Sequence, residues 1–275
     1  MNPAFQTVIA AGDEERRDLF LSAAGRLGTA VQNVEKDFWV CWTLDALFNG
    51  LPAGGPRLLF KGGTSPSKAF GLISRFSEDI DITVFREDLG EGATVEELEA
   101  LSGKQRRSRL DAVKEACRAY INGQLTAQFG ALLQENLGGL EIAAERFRLE
   151  ADPDQQSLLF WYPAVTAQPG DYVRSAVKIE SGARSALDPH TSALVKPYVD
   201  DDLPELDLTA KNATTIRPQR TFWNKVVIVD GIPVVRPPQG TASWRAARDA
   251  ALLRPVPAHA QRTVHEVVAG QGTRA

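Results

Sequence analysis

The sequence predicts a mixed α/β (α+β) fold, on three observations. The apolar run Leu58-Leu59-Phe60, a glycine-rich turn with a helix start behind it, and the alternating run Asp79-Ile80-Asp81-Ile82-Thr83-Val84 read together as a strand-helix-strand unit. Helical periodicity dominates from Asn33 to Phe48 and again between Gly90 and Leu137. Two more strand candidates, Leu158 to Tyr162 and Val173 to Glu180, follow.

Composition sets the frame for these elements. The 275 residues, 43% hydrophobic and 24% charged, have ordinary globular character and enough length for a large core in one or two domains. A net charge of −4 argues against a uniformly basic nucleic-acid coat and leaves room for a local basic face. Cys41 and Cys117 both fall in helical pattern without metal-ligand spacing, so they read as buried thiols in a reducing compartment. No charged-then-apolar amino-terminal signal and no run of membrane-spanning length is visible. The expected location is the cytoplasm, with no membrane partner.

In chain order, Asp13 to Phe20 is charged and amphipathic. A second helix is expected from Asn33, a plausible N-cap, to Phe48. Val34, Phe38, Cys41, Trp42 and Ala46 line one buried stripe, leaving Glu35, Lys36 and Asp45 to point elsewhere. Trp39 and Trp42 read as core.

After the loop Leu51 to Pro56 comes Lys61-Gly62-Gly63-Thr64-Ser65-Pro66-Ser67-Lys68. Gly62 and Gly63 suit a sharp turn close to a ligand. Ser65 is expected to cap a helix that begins at Pro66, whose first N–H groups would face an anion. Arg75-Phe76-Ser77-Glu78 then leads into the alternating strand. There Asp79 and Asp81 share a face about 6.6 Å apart and can lean onto the same hard cations. Ile80, Ile82 and Val84 anchor the opposite face.

Thr94 and Glu97 have the spacing of a capping box. Leu110, Val113, Cys117, Tyr120, Ile121, Leu125, Phe129 and Leu132 keep helical period behind it. The cluster Lys104, Arg106, Arg107 and Arg109 reads as a solvated helix start, ahead of a contact for polyanionic substrate. In the strand candidate ending at Glu180, alternation places Arg174, Lys178 and Glu180 on one face and Val177 and Ile179 on the other. If this strand pairs with the aspartate strand, Glu180 meets the aspartates across about 5 Å. Such like charges repel unless a metal lies between them.

A helix could start at Thr221. Gly231 to Ala275 reads as an atypical tail, poorly ordered or loosely attached. The organisation expected is amino-terminal helices over 1–50, a core over 51–215, and a carboxy-terminal helix with its tail over 216–275.

Other constellations do not compete. His190, His259 and His265 lack metal spacing, and the glycine turn lacks the lysine-threonine or lysine-serine pair of a P-loop. An Asp-x-Asp strand or a glycine turn alone would be weak. Their separation by one helix makes the combination specific.

Four stretches resemble the AbiEii/AbiGii-type nucleotidyltransferase toxins, a family that includes the mycobacterial MenT toxins. They are Glu35-Lys36-Asp37-Phe38, Lys61 to Lys68 with Glu78 to Asp81, Lys178-Ile179-Glu180, and Thr221-Phe222-Trp223-Asn224-Lys225. The resemblance implies a DNA polymerase β-like nucleotidyltransferase palm with a mixed sheet and flanking helices. It also implies Mg²⁺-dependent transfer of a nucleotide from an NTP, onto tRNA in characterised MenT members, and a cognate antitoxin. On that reading Asp79 and Asp81 bridge the metal ions and Glu180 holds the ion that activates the attacking hydroxyl. Ser65 and the N–H groups of Gly62, Gly63 and Thr64 take the triphosphate; Lys178 is a catalytic cation, and Lys68 approaches phosphate.

Two departures stand out. Asn224 occupies a position that is acidic in relatives, and nothing from Gly231 onward matches their later helical region. That tail is either a divergent domain or the product of a shifted reading frame. The alternatives are a small-molecule nucleotidyltransferase similar to those that modify aminoglycosides, and an inactive relative that binds nucleotide or a protein partner.

Overall fold

The structure, a computed structural model, describes residues 1–222 apart from 74, 75, 77, 78, 141–145, 153–156 and 184–186. The expectations for Arg75, Ser77, Glu78, Trp223, Asn224, Lys225 and the tail lie outside the described residues.

The chain opens with helices α1 (Ala4–Ala10), α2 (Asp13–Leu27) and α3 (Val31–Asp45), the last running into a π turn over Ala46–Gly50. Asn33 is not the cap of α3. The helix starts two residues earlier, behind an extended Ala30, and the Asn33 side chain donates to the Thr29 hydroxyl at 3.1 Å. Strand β1 (Leu58–Lys61), the short helix α4 (Thr64–Lys68) and strand β2 (Asp79–Val84) form the expected strand-helix-strand unit.

Helices α5 (Val95–Ala100), α6 (Gly103–Tyr120) and α7 (Thr126–Leu137) come next. Thr94 caps α5 in a capping box with Glu97, as its spacing predicts. A π turn over Ile121–Leu125 joins α6 to α7, and the whole stripe from Leu110 to Leu132 is buried through it. Strands β3 (Arg148–Ala151), β4 (Ser157–Trp161), β5 (Ala176–Gly182), β6 (His190–Val195) and β7 (Ala210–Ile216) complete the described elements. The chain becomes helical again at Pro218, ahead of the expected start at Thr221.

Among the described residues the strands form one mixed seven-stranded sheet in the order β3-β4-β5-β2-β1-β7-β6. Pairs β1–β2, β3–β4, β4–β5 and β6–β7 are antiparallel, and β2–β5 and β1–β7 are parallel. One face is apolar. Ile80, Ile82, Val84, Leu158, Phe160, Val177 and Ile179 share a continuous core with α1, α2, α3, α6 and α7. Helix α3 packs across β2, β5 and β7, with Trp39 and Trp42 fully buried against Phe160 at ring-centroid distances of 5.9 and 5.5 Å. Cys41 and Cys117 are both buried and free. The other face carries the polar residues of β1, β2 and β5. No helix among the described residues is long and apolar enough to cross a membrane.

Candidate active site

The site grows from strand register. Lys61 pairs with Asp81 across β1 and β2, Asp81 with Glu180 across β2 and β5, and Glu180 with Ser157 across β5 and β4. One row therefore crosses the middle of the sheet as Lys61, Asp81, Glu180 and Ser157, all on the face opposite the core. Asp79 stands one step along the same face of β2, opposite Lys178. The pairing of β2 with β5, conditional in the sequence, is what places Glu180 beside the aspartate strand.

The glycine turn closes over this row. Gly62 adopts φ +76°, and a Cβ built on it would lie 1.7 Å from Asp81 Oδ2. Only glycine leaves room for that carboxylate. The Gly63 N–H donates to Asp81, and the Asp81 and Glu180 carboxyls are in hydrogen-bond contact. Burial holds the Asp81 carboxyl above the usual carboxylate range against the pull of Lys61; the charge of Glu180 adds to the rise, and the Gly63 N–H opposes it.

One cation ends the row and another stands beside it, two residues before Glu180 on the same face of β5. Lys61 Nζ lies 3.9 Å from Asp81 Oδ1, and Lys178 Nζ lies 2.9 Å from Glu180 Oε1 and 3.2 Å from Asp152 Oδ2. Hydrogen bonding to Glu180 is the largest influence on the Lys178 ammonium; it raises the pKa, and the bond to Asp152 adds to the rise, against partial burial.

Other expected site residues are placed differently. Ser65 does not cap a helix at Pro66: α4 begins at Thr64 with Gly63 as its N-cap. The buried Ser65 hydroxyl donates to the Gly62 carbonyl at 3.1 Å, and the Thr64 hydroxyl donates to the Asp79 carbonyl at 2.5 Å. Both side chains brace the turn. Lys68 is not brought to the acidic row. Its ammonium is buried in an ion pair with Asp37, donates to the Lys196 carbonyl at 3.2 Å, and sits 3.7 Å from the centroid of the Tyr198 ring.

Burial also overturns the reading of α3 as a one-sided stripe. Glu35, Lys36, Asp37 and Asp45 are all buried. Glu35 accepts from the Val165 and Thr166 N–H groups at 2.7 and 2.9 Å, and Asp37 accepts from the Tyr198 N–H at 2.7 Å. Desolvation raises the Glu35 pKa despite those donors. The available sequence signal was three consecutive charged residues inside an otherwise apolar helix. Lys61 and Asp152 were also missed; for Lys61 the signal was its place at the end of a strand facing the aspartates. In the cationic cluster, Arg106 donates to the Leu98 carbonyl at 2.8 Å and Arg109 pairs with Glu91, so both are tied locally.

The donor set suits a hard divalent cation. Mg²⁺ is commonly held by one or two carboxylates together with substrate phosphates, and Asp81 and Glu180 offer adjoining carboxyl oxygens. Two carboxylates this close repel unless a cation lies between them. Among the described residues no group of three His, Cys, Asp or Glu converges on one point, so Asp79 stands beside this pair and not in it.

The solved MenT4 nucleotidyltransferase toxin from Mycobacterium tuberculosis H37Rv is similar at 15% identity and a TM-score of 0.38, over 92% of this chain and 98% of that one. No curated protein matches the sequence. The family described as nucleotidyl transferase AbiEii toxin, type IV toxin–antitoxin system, matches residues 45–249, most of the chain. This chain, with its glycine turn set against Asp81 and Asp81 against Glu180, belongs to the AbiEii nucleotidyl transferase toxin family and is a nucleotidyltransferase.

Proposed function

We propose that the protein transfers a nucleotide from an NTP to an RNA acceptor, tRNA, in a Mg²⁺-dependent reaction, and acts as a toxin restrained by a cognate antitoxin. The observation that carries this reading is the contact series Gly62–Asp81–Glu180, which joins a backbone turn to two carboxyls across three strands.

The reaction forms a bond from an acceptor hydroxyl oxygen to the α-phosphorus, releases the hydroxyl proton to solvent and breaks the bond to pyrophosphate, which leaves. Backbone N–H groups of the Gly62–Thr64 turn other than that of Gly63, which holds Asp81, receive the triphosphate. Asp81 and Glu180, with Asp79 beside them, are the residues that would hold Mg²⁺, which when bound neutralises phosphate charge and aligns the reacting oxygens. Glu180, on the side of Asp81 away from the turn, orients the attacking hydroxyl. Lys178 fixes Glu180 in place and adds positive charge where negative charge builds up. Lys61 does the same for Asp81.

Incubation with each labelled NTP, Mg²⁺ and total tRNA, resolved on a denaturing gel, tests the reading. Label is expected in tRNA with the wild type and absent with Asp81→Ala. Labelling of small metabolites instead, or undiminished labelling by Asp81→Ala, overturns it.

A further inference from the structure

We propose that the β3–β4 edge of the sheet is the acceptor side of the active site, and that Trp161 with Arg148 stacked on it receives a base of a single-stranded RNA end. The inference rests on the nucleotidyl-transfer reading and adds the direction from which the acceptor arrives and what it touches there.

Direction follows from strand order. The turn that receives the triphosphate lies on the β1 side of Asp81, whereas Glu180 lies on the β5 side, with β4 and β3 beyond it. Attacking and leaving oxygens lie roughly in line across the phosphorus. A pyrophosphate leaving toward β1 therefore requires a hydroxyl that enters from β5, over β4 and β3.

Trp161 and Arg148 share the catalytic face, displaced along the strands to the end of β4 and the start of β3. Trp161 pairs with Ala176 and Ser157 with Glu180, so Trp161 stands on the same face as Glu180, about 14 Å away by strand geometry. That is the reach of a short single strand, beyond one nucleoside. Arg148, the partner of Trp161 on β3, places its guanidinium carbon 4.4 Å from the Trp161 ring centroid. Glu150 locks the stack, accepting from Arg148 Nε at 2.6 Å and from Trp161 Nε1 at 2.8 Å. The Arg148 side chain is 53% exposed, leaving a planar cation open to solvent.

A further exposed aromatic residue and a further exposed arginine lie on the chain leading into β5. Tyr172 is 94% exposed and Arg174 is exposed, both on the connection into β5 that is held to β4 by the Tyr162 N–H on the Ser175 carbonyl at 3.2 Å. The neighbouring acids are already engaged, Glu150 with Arg148 and Trp161, and Asp152 with Lys178. Planar groups interleaved with arginines suit single-stranded nucleic acid, whose bases stack and whose phosphates meet the guanidinium groups. With a net charge of −4 the chain has no general pull on RNA, so such binding must be local.

The test uses the full chain, Mg²⁺, the NTP it accepts and a tRNA transcript that the wild type labels. Trp161→Ala is expected to raise the KM for tRNA roughly ten- to one-hundred-fold, the scale of one lost stack in the layered base–Arg148–Trp161 arrangement that the ring supports, with the KM for NTP unchanged. Trp161→Phe should restore most of the loss; Arg148→Ala and Tyr172→Ala should fall between. Tyr172 is on the surface, so its variant reads the effect even if Trp161→Ala unfolds in a thermal melt. An unchanged tRNA KM in the folded variants, or a raised KM for NTP in place of tRNA, overturns the proposal alone. A wild type that labels no RNA fails the transfer reading, and this proposal with it.

Discussion

A Cβ on Gly62 would lie 1.7 Å from Asp81 Oδ2 and 2.4 Å from its Cγ, so the chain can bring its backbone against this carboxylate only by omitting a side chain. Gly62 also holds φ +76°, a conformation that costs an L-residue roughly 1–2 kcal/mol. Gly62→Ala is therefore expected to destabilise the protein by about 2 kcal/mol or more. It should also lower kcat/KM on the order of a hundredfold, because Asp81 must move by about an ångström. Urea unfolding and transfer kinetics check both parts, and a variant of full activity would contradict the contact.

Burial of the Asp81 carboxyl, with the charge of Glu180 adding to it, predicts opposite effects on stability and activity. A carboxyl whose pKa is raised by folding keeps its proton in the native chain at pH values where the unfolded chain has lost it. Native stability then falls as pH rises from the ordinary carboxylate range through the raised value, so at neutral pH Asp81 destabilises the fold. Asp81→Asn should raise Tm at neutral pH, with the gain shrinking toward about pH 4, while transfer is lost. Mg²⁺ should raise the wild-type Tm and leave that of the variant nearly unchanged. A lower Tm for Asp81→Asn at neutral pH would reverse the sign argued here.

The same residues mark where sequence reasoning reached and where it stopped. The strands that build the acidic row were legible because two-residue alternation separates Asp79 and Asp81 from Ile80 and Ile82, and Lys178 and Glu180 from Val177 and Ile179. The stripe from Leu110 to Leu132 was legible for the matching helical reason, though not the π turn inside it. Strands β6 and β7 went unread because Ser, Thr, Lys and Asn fill much of them and no clean alternation survives. Ser65 was misread because its hydroxyl finds a carbonyl of the turn before any helix N–H. Helix α3 was misread because periodicity assumes one solvated face, and α3 has none.

Lys68 and Asp37 bind α4 to α3 through a buried ion pair. Burial opposes charging of Lys68, and the Asp37 charge outweighs it, holding the ammonium pKa above its usual value. Lys68→Met leaves an uncompensated carboxylate and should cost roughly 3–5 kcal/mol in urea unfolding, whereas the double change Asp37→Leu with Lys68→Met should recover much of that. If Lys68→Met kept wild-type stability while the KM for NTP rose tenfold or so, Lys68 would instead be a phosphate contact.

Lys178 should differ from Lys68 in kind. Its ammonium lies on the open face between Glu180 and Asp152, so removing it disturbs chemistry more than packing. Lys178→Met is expected to lower kcat about ten- to one-hundred-fold, since Glu180 loses the partner that sets its position, with a smaller change in the KM for NTP. It should also displace the pH profile. With one cation fewer near the acidic row, the already raised Asp81 carboxyl holds its proton more tightly, so the acid limb of the kcat profile should move to higher pH. The raised pKa of Lys178 keeps it charged across that range, so its own titration does not enter the wild-type limb. A profile that stays in place while kcat falls would assign Lys178 to contact with substrate and remove it from the control of Glu180.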